Sequence, residues 1–211
     1  KMSKGVQFLM RKNKIDVVNG FGKLVAKGKV EVDNGGQKQV VEGKHIVIAT
    51  GGRSRELPAL KQDGKKIIGY REAMVLPQQP KSIIVVGSGA IGVEFGYFYN
   101  SIGSKVTSVE FLPRIVPVED EEVSKELEKN FKKQGIDIMT GSEVTAVDTS
   151  GNGVKATVKT ANGEVTLEAD VLLSAVGVAA NIEGIGLEEL GIKTEKGRIA
   201  VDKFYKTNVD G

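Results

Sequence analysis

A glycine-rich turn between a buried strand and a helix is the feature that most constrains this fold. Residues 82–86 form a short, continuous, β-branched run, which predicts a strand buried on both faces. Gly87, Gly89 and Gly92 follow directly, and residues 93–102 have the pattern of a helix. A strand, a glycine turn and a helix in this order predict the first crossover of a parallel sheet.

The segments that follow continue this pattern. Strands are predicted at 105–109 and 136–139, on either side of a helix at 119–134 that begins with acidic and ends with basic side chains. Three alternating segments between turn signals then predict an antiparallel β-meander, before another buried strand at 171–177. The meander segments are 143–148, 154–160 and 164–168. The predicted fold class is α/β: a Rossmann-like parallel sheet with a three-stranded antiparallel β-meander.

The spacing of the glycines is typical of a turn that holds the pyrophosphate of a dinucleotide. The first glycine makes the turn, the second lets the backbone approach the phosphates, and the third lets the helix pack closely on the strand. Glu110 lies 23 residues after Gly87, at the end of the next strand, where a carboxylate accepts hydrogen bonds from the adenosine ribose. Because a negative charge there repels the 2′-phosphate of NADP, the sequence predicts a site for NAD.

Four further residues have two interpretations each. We place Glu94 in the first turn of the helix after the glycines, where it is either a helix-end charge or a contact toward the nicotinamide. Gly51, Gly52 and Gly177 end apolar strands at the carboxyl edge of a sheet, where ligands collect in open α/β sheets. Ordinary turn glycines are an equally good explanation of these three positions.

The first fifty residues repeat the order of the second half. A meander is predicted within residues 24–42, after the segment 15–20 and before an apolar strand at 46–51. Residues 15–20 match 136–141 at an offset of 121 residues, and the apolar strand matches 171–177. We interpret this as an internal structural repeat, with chance recurrence of meanders as the alternative. A repeat of this kind predicts a piece of a larger protein with two dinucleotide-binding domains.

Composition excludes several other chemistries. The sequence has no cysteine and one histidine, so we assign it no catalytic residue and no metal ligand. Thirty basic and 27 acidic side chains alternate without a basic block, which argues against a nucleic-acid partner. Charge and glycines interrupt the most apolar stretch, 82–99, which predicts no membrane span. We expect a cytoplasmic protein.

The sequence resembles the FAD/NAD-linked disulfide reductases through essentially its whole length. The motifs that carry the resemblance are 48–52, 87–94, 109–114, 119–135 and 186–192. The motifs at 109–114 and 119–135 are similar to those of the branch that oxidises dihydrolipoamide. The resemblance implies a flavoenzyme that passes electrons from dihydrolipoamide through a redox disulfide and FAD to NAD. It also implies a homodimer that serves 2-oxoacid dehydrogenase complexes or the glycine cleavage system.

The same resemblance implies roles for individual residues. Glu110 would hold NAD, Val144 would border the adenine, and Gly177 would lie near the nicotinamide. Glu94 is placed near the nicotinamide in this family, which favours its functional interpretation. The turn residues that would hold NAD are Gly87, Ser88, Gly89, Ala90, Ile91, Gly92, Val93 and Glu94. The residues that would contact FAD, in a site that is incomplete here, are Gly22, Thr50, Gly51 and Gly52.

The chain also departs from the family. Residues 177–181 read Gly-Val-Ala-Ala-Asn, without the Arg and Pro that many relatives carry there, and the redox cysteine pair is absent. We predict a partial FAD-binding domain at 1–79 (helix, meander, return strand and linker), an NAD-binding domain at 80–176, and a truncated return segment to the FAD domain at 177–211.

Two kinds of function remain open at this point. The first is the central part of a dihydrolipoamide-oxidising enzyme, which would bind NAD(H) without turnover. The alternatives are a non-catalytic NAD-sensing module, or another flavin-dependent disulfide reductase or transhydrogenase of the same fold.

Overall fold

The computed structural model describes residues 2–211, which form two compact units. Unit 1 contains the chain up to Gly52 together with residues 180–211, and unit 2 contains residues 53–179. Lys1, which belongs to the predicted segment 1–79, lies outside the described residues. Within residues 2–211, every helix is too short or too polar to cross a membrane.

The regular elements follow one another in the order that their numbers indicate. The α-helices are α1 (Met2–Lys12), α2 (Tyr70–Ala73), α3 (Ala90–Ser101) and α4 (Glu121–Lys133), and a 3₁₀ turn spans Pro58–Leu60. The first eight strands are β1 (Phe21–Ala26), β2 (Lys29–Asn34), β3 (Gln37–Glu42), β4 (Gly52–Ser54), β5 (Ile67–Ile68), β6 (Ser82–Val86), β7 (Lys105–Val109) and β8 (Asp137–Met139). The remaining strands are β9 (Glu143–Asp148), β10 (Val154–Thr160), β11 (Gly163–Ala169), β12 (Val171–Ser174), β13 (Val178–Ala180), β14 (Thr194–Glu195) and β15 (Arg198–Ile199).

Unit 2 is built on a five-stranded parallel sheet with the strand order β5-β12-β6-β7-β8. The chain moves outward from β6 through β7 to β8 and returns to the other side of β6 with β12. The strands are predominantly β-branched and apolar, as expected for strands that are buried on both faces. The predicted α/β class and parallel sheet are confirmed.

The alternation of side chains along β6 explains why its sequence is continuously apolar. Ile83 and Val85 point to the face covered by α3 and α4, in a core that also holds Phe131. Ile84 and Val86 point to the opposite face, in a core shared with the meander. Successive side chains of a strand lie on opposite faces, so a strand covered on both sides has no polar position left.

The meander β9–β11 covers one face of this sheet. It is antiparallel, with Val144 opposite Val158 and Ala156 opposite Leu167. All three of its strands are formed within one residue of the predicted bounds. The Lys66 ammonium donates to backbone carbonyls in the turn between β9 and β10, which ties this turn to the start of β5.

The two long helices of unit 2 cover the other face. A carboxylate oxygen of Asp120 accepts a hydrogen bond from Glu122 N (2.8 Å) and caps the start of α4. The Tyr99 hydroxyl donates to the carbonyl of Ala73 (2.6 Å) and joins α3 to α2. Burial raises the pKa of the Tyr99 hydroxyl, so it remains a donor through the neutral range.

Residues 53–79 belong to unit 2 in the structure, whereas the sequence pattern predicts that they continue the segment that begins at residue 1. β5 pairs in parallel with β12, with Ile68 opposite Leu173. Leu60 is 1% exposed and lies in the core beneath the meander. These contacts are long-range pairings that the local sequence pattern of the segment does not encode.

Unit 1 contains the second meander, β1-β2-β3, as predicted. Its small core consists of four buried side chains with a rim of partly buried aliphatic residues. The four are Leu24, Ile185, Leu187 and Ile192. The Leu24 amide also donates to the Ile185 carbonyl (2.8 Å), so the meander and residues 180–211 are bonded within this unit.

The predicted strand at 46–51 is not formed, and neither is a strand at 15–20. A strand exists through its ladder of hydrogen bonds to a neighbouring strand. None of the described residues pairs in this way with 46–51, and the Ile46 amide donates instead to the Gly211 carbonyl (2.7 Å). Val47 is 87% exposed although its sequence is that of a buried strand.

The packing of β12 yields a prediction for stability. Leu173 is fully buried in the core that the helices cover, so Leu173→Ala removes packing on all sides. We expect a loss of about 2–5 kcal/mol in the free energy of unfolding, measured by urea denaturation. Val118→Ala, at a position that is 89% exposed, is the matched control and should change it by less than about 0.5 kcal/mol. Equal losses in the two variants would contradict the assignment of β12 to the centre of the sheet.

Candidate functional site

The glycine turn joins the carboxyl end of β6 to the start of α3. Gly87 has a φ of +93°, a left-handed conformation that side chains rarely adopt. A Cβ at this position would lie 2.5 Å from the Ala175 carbonyl oxygen, just past the end of β12. The Gly87 amide donates to the Val109 carbonyl (2.8 Å), which joins the turn to the end of β7. The first glycine is therefore required by both backbone conformation and space.

The other two glycines of the motif have different surroundings. A Cβ on Gly92 would lie 1.9 Å from the Gly87 carbonyl oxygen, so this glycine allows the helix to pack against the turn. A Cβ on Gly89 would have no atom within 4 Å. The open space at Gly89 is where another molecule can approach the backbone closely.

The helix α3 begins at Ala90, three residues earlier than predicted. Its N-cap is Gly89, and within residues 2–211 no side chain caps this helix start. The unpaired N–H groups and the positive end of the helix dipole form a favourable position for a phosphate. The residues of the predicted set that form this helix start are Ala90, Ile91, Gly92 and Val93.

The earlier start of α3 corrects the position of Glu94. Glu94 is the fifth residue of the helix, and the first turn contains no acidic residue. Because the effect of the helix dipole falls off within the first turn, this position weakens the explanation of Glu94 as a helix-end charge. Glu94 is exposed. Glu94 lines a shallow cavity of about 310 Å³ together with Met74, Phe95 and Phe98.

Glu110 is the most strongly hydrogen-bonded side chain near the turn. It directly follows β7 and is 7% exposed. Its Oε2 accepts hydrogen bonds from Ser88 N (2.7 Å) and from Ser88 Oγ (2.7 Å). Its Oε1 accepts one from Leu112 N (2.8 Å). The carboxylate therefore lies directly beneath the glycine turn and is held by three donors.

Arg114 does not neutralise this carboxylate. Its guanidinium donates to the Pro117 carbonyl (3.1 Å) and lies 3.9 Å from the Glu121 carboxylate. A hydrogen bond from Lys125 and the charges of Lys125 and Arg114 lower the pKa of Glu121. Within the described part of the chain, no basic side chain forms an ion pair with Glu110.

The remaining residues of the predicted NAD set lie on both sides of the turn. Val144 is 8% exposed and faces the core between β9 and the sheet. Gly177 follows β12 with a φ of +114°, and a Cβ there would meet no atom within 4 Å. Glu110 therefore lies toward β7 and Gly177 toward β12, on opposite sides of Gly87 along the carboxyl edge of the sheet.

The four residues predicted to contact FAD belong to unit 1. Gly22 lies in β1 and is exposed, as are Thr50 and Gly51. The Asn181 amide N–H donates to the Gly51 carbonyl (3.0 Å), and its side chain donates to the Thr50 carbonyl (3.2 Å). A cavity of about 430 Å³ in this unit is mainly apolar, and none of Gly22, Thr50, Gly51 and Gly52 lines it.

One contact of the candidate site is not predicted from the sequence. Ser88 is predicted to hold the cofactor, and in the structure its side chain is fully buried and its hydroxyl donates to Glu110. The available signal was a hydroxyl residue inside the glycine motif together with a carboxylate at the end of the next strand. Whether these two side chains contact each other depends on the distance between the ends of β6 and β7.

Comparisons with known proteins support this description. The sequence pattern of the family described as pyridine nucleotide-disulphide oxidoreductase matches residues 1–211. Dihydrolipoyl dehydrogenase of Rhizobium etli is 45% identical over 227 residues, covering 100% of this chain and 47% of that protein. Leghemoglobin reductase of Glycine max is 42% identical over 214 residues, covering 100% of this chain and 41% of that protein.

Solved structures show the same fold. LpdA from Mycobacterium tuberculosis superimposes with a TM-score of 0.88 at 28% identity, over 98% of this chain and 46% of that one. The HOCl-induced flavoprotein disulfide reductase RclA from Escherichia coli has a TM-score of 0.80 at 26% identity, over 99% of this chain and 48% of that one.

The fold is that of the flavoprotein disulfide reductase class. The chain belongs to the pyridine nucleotide-disulphide oxidoreductase family. It is similar over its whole length to dihydrolipoyl dehydrogenases, so the predicted resemblance to this branch is confirmed. The chain spans about half the length of the curated relatives it matches.

The different surroundings of two glycines give a second prediction. Gly92→Ala forces a Cβ against the Gly87 carbonyl, so we expect a loss of about 1–3 kcal/mol in the free energy of unfolding. Gly89→Ala enters open space and should change stability by less than about 1 kcal/mol. Chemical denaturation of the two variants measures the difference. Equal stabilities would show that α3 does not pack on the turn as described.

Proposed function

We propose that unit 2 binds NAD(H) at the glycine turn. The observation that carries this proposal is the open, uncapped start of α3 beside a buried carboxylate that has no cationic partner among the described residues. A pyrophosphate fits the space at Gly89, where no protein atom would meet even a methyl group. The backbone N–H groups of the first helical turn are its donors.

The order of the strands supports one direction for the proposed dinucleotide. The carboxyl end of a parallel sheet, where the chain changes direction, is the usual place for a dinucleotide, and here that point lies between β6 and β12. Glu110 then receives the adenosine ribose, and Val144 lies on the adenine side. Gly177 and Glu94 lie on the side proposed for the nicotinamide.

The charge of Glu110 supports NAD over NADP. Among the described residues its Oε1 accepts one hydrogen bond, from Leu112 N, and it can accept another from a ribose hydroxyl. A 2′-phosphate at that position would meet a buried negative charge. Arg114, the nearest candidate to bind such a phosphate, is directed toward Pro117 and Glu121 instead.

When bound, NAD supplies a nicotinamide ring that accepts a hydride. The residues of this chain bind the pyrophosphate, orient the ribose through Glu110 and leave the backbone at Gly177 open. The chain spans about half the length of its relatives. For the whole protein we propose the oxidation of dihydrolipoamide through FAD. We propose that it acts as a homodimer in 2-oxoacid dehydrogenase complexes or the glycine cleavage system. We propose a cytoplasmic location for it.

The residues assigned to FAD offer only part of a site. Gly22, Thr50, Gly51 and Gly52 provide backbone groups and one hydroxyl, and the glycine turn that the described residues contain belongs to unit 2. The sequence has no cysteine to form a redox disulfide. We therefore propose that these 211 residues bind NAD(H) without oxidising dihydrolipoamide.

Titration of the purified chain with NADH and NADPH, by calorimetry, tests the proposed site. We expect NADH to bind more tightly than NADPH. Glu110→Gln should lower the affinity for NADH about tenfold, because a charge-assisted hydrogen bond to the ribose contributes about 1.5 kcal/mol to binding. The same variant should bind NADPH no more weakly, since the repulsion is removed. Gly89→Ala should weaken both nucleotides.

The matched control for charge removal is Glu164→Gln, at an exposed position in β11. It should leave both affinities unchanged. If the folded chain binds neither nucleotide, or binds NADPH more tightly than NADH, the proposed site is wrong.

A further inference from the structure

All the polar groups of Ser88 are bonded to the segment that follows β7. The amide and the hydroxyl donate to Glu110 Oε2, both at 2.7 Å, and the carbonyl accepts from Val116 N (2.9 Å). The residue is fully buried. Ser88 therefore joins the glycine turn to residues 110–116 and presents no polar group to a ligand.

The hydrogen bonds of Glu110 determine which of its oxygens can contact a nucleotide. An ionised carboxylate has about four lone-pair positions, two on each oxygen. Oε2 has both of its positions filled by Ser88, whereas Oε1 accepts one bond, from Leu112 N. The next hydrogen bond is therefore made by Oε1.

We infer that Ser88 is a positioning residue that determines nucleotide selectivity by holding Oε2 of Glu110 and leaving Oε1 to the ribose. This inference rests on the proposed NAD site and makes it more specific. The hydroxyl prevents rotation of the carboxylate, so the negative charge stays where a ribose 2′ substituent would lie. Selectivity against a 2′-phosphate then depends on a side chain that does not touch the nucleotide.

An alanine at position 88 removes the hydroxyl and keeps the backbone bonds. Oε2 keeps one donor, the backbone N–H of residue 88, and the carboxylate gains rotational freedom. NADH loses a pre-positioned acceptor, while NADPH loses part of a repulsion. The two nucleotides should therefore respond in different ways, which a purely structural role of the hydroxyl does not produce.

A double-mutant cycle with NADH and NADPH titrations tests the inference. The variants are Ser88→Ala, Glu110→Ala and the double variant, in the same chain. We expect Ser88→Ala to weaken NADH about fivefold and to lower the ratio of NADH to NADPH affinity by about the same factor or more. In the Glu110→Ala background, Ser88→Ala should change NADH affinity by less than about twofold, because the group it positions is gone.

The chain offers a matched control for loss of a buried hydroxyl. Ser104 is 3% exposed and donates to the Pro80 carbonyl (2.6 Å), at the opposite end of β7 from Glu110. Ser104→Ala should lower the melting temperature to a similar extent as Ser88→Ala but leave the NADH to NADPH ratio unchanged. Ser88→Cys keeps the shape of the side chain, with a somewhat larger atom and only a weak donor, and should shift the ratio in the same direction as Ser88→Ala.

The outcomes separate this inference from the proposed function. Suppose that Glu110→Ala weakens the binding of NADH. If Ser88→Ala then leaves the ratio of NADH to NADPH affinity unchanged, whether it weakens both nucleotides equally or neither, Ser88 has no positioning role. Additive losses in the double variant would overturn the inference in the same way. If Glu110→Ala itself leaves NADH affinity unchanged, the proposed NAD site is wrong.

Discussion

The hydrogen-bonded carboxylate of Glu110 is the constraint on which the site depends. It is buried, it has no cationic partner among residues 2–211, and three donors from two separate segments satisfy it. A buried charge without such donors would cost several kcal/mol. The ends of β6 and β7 must therefore remain together, and this requirement holds the glycine turn in place.

Close backbone packing is the second constraint on the turn. Gly87 and Gly92 lack side chains because the Ala175 carbonyl and the turn itself occupy the space that a Cβ would need. Gly89 is different, because the space beside it is open. The motif therefore combines two glycines that the fold requires with one whose surroundings leave room for another molecule, and the pattern of three glycines does not distinguish them.

Much of unit 2 could be predicted because its determinants are local. β-branched residues predicted β6 and β7. Alternating side chains and Asn-Gly turns predicted the meander, and the acidic and basic ends of a helical segment predicted α4. The structure differs from the prediction where a partner in space decides the outcome. Residues 46–51 have a strand sequence but no ladder partner among the described residues, and residues 53–79 join unit 2 through pairing of β5 with β12.

The α/β class, the glycine turn and the acidic residue at the end of the following strand could be predicted from periodicity, turn chemistry and motif spacing, which are properties of neighbouring residues. The family was indicated by the resemblance of whole motifs and is shown by the comparisons. The tertiary structure alone decided that α3 starts at Ala90, that Arg114 is directed away from Glu110, and that Ser88 bonds to Glu110. The first two depend on the backbone conformation of the turns in which they lie. The bond from Ser88 to Glu110 joins residues that are 22 apart in the chain, and the pairing of β6 with β7 brings them together.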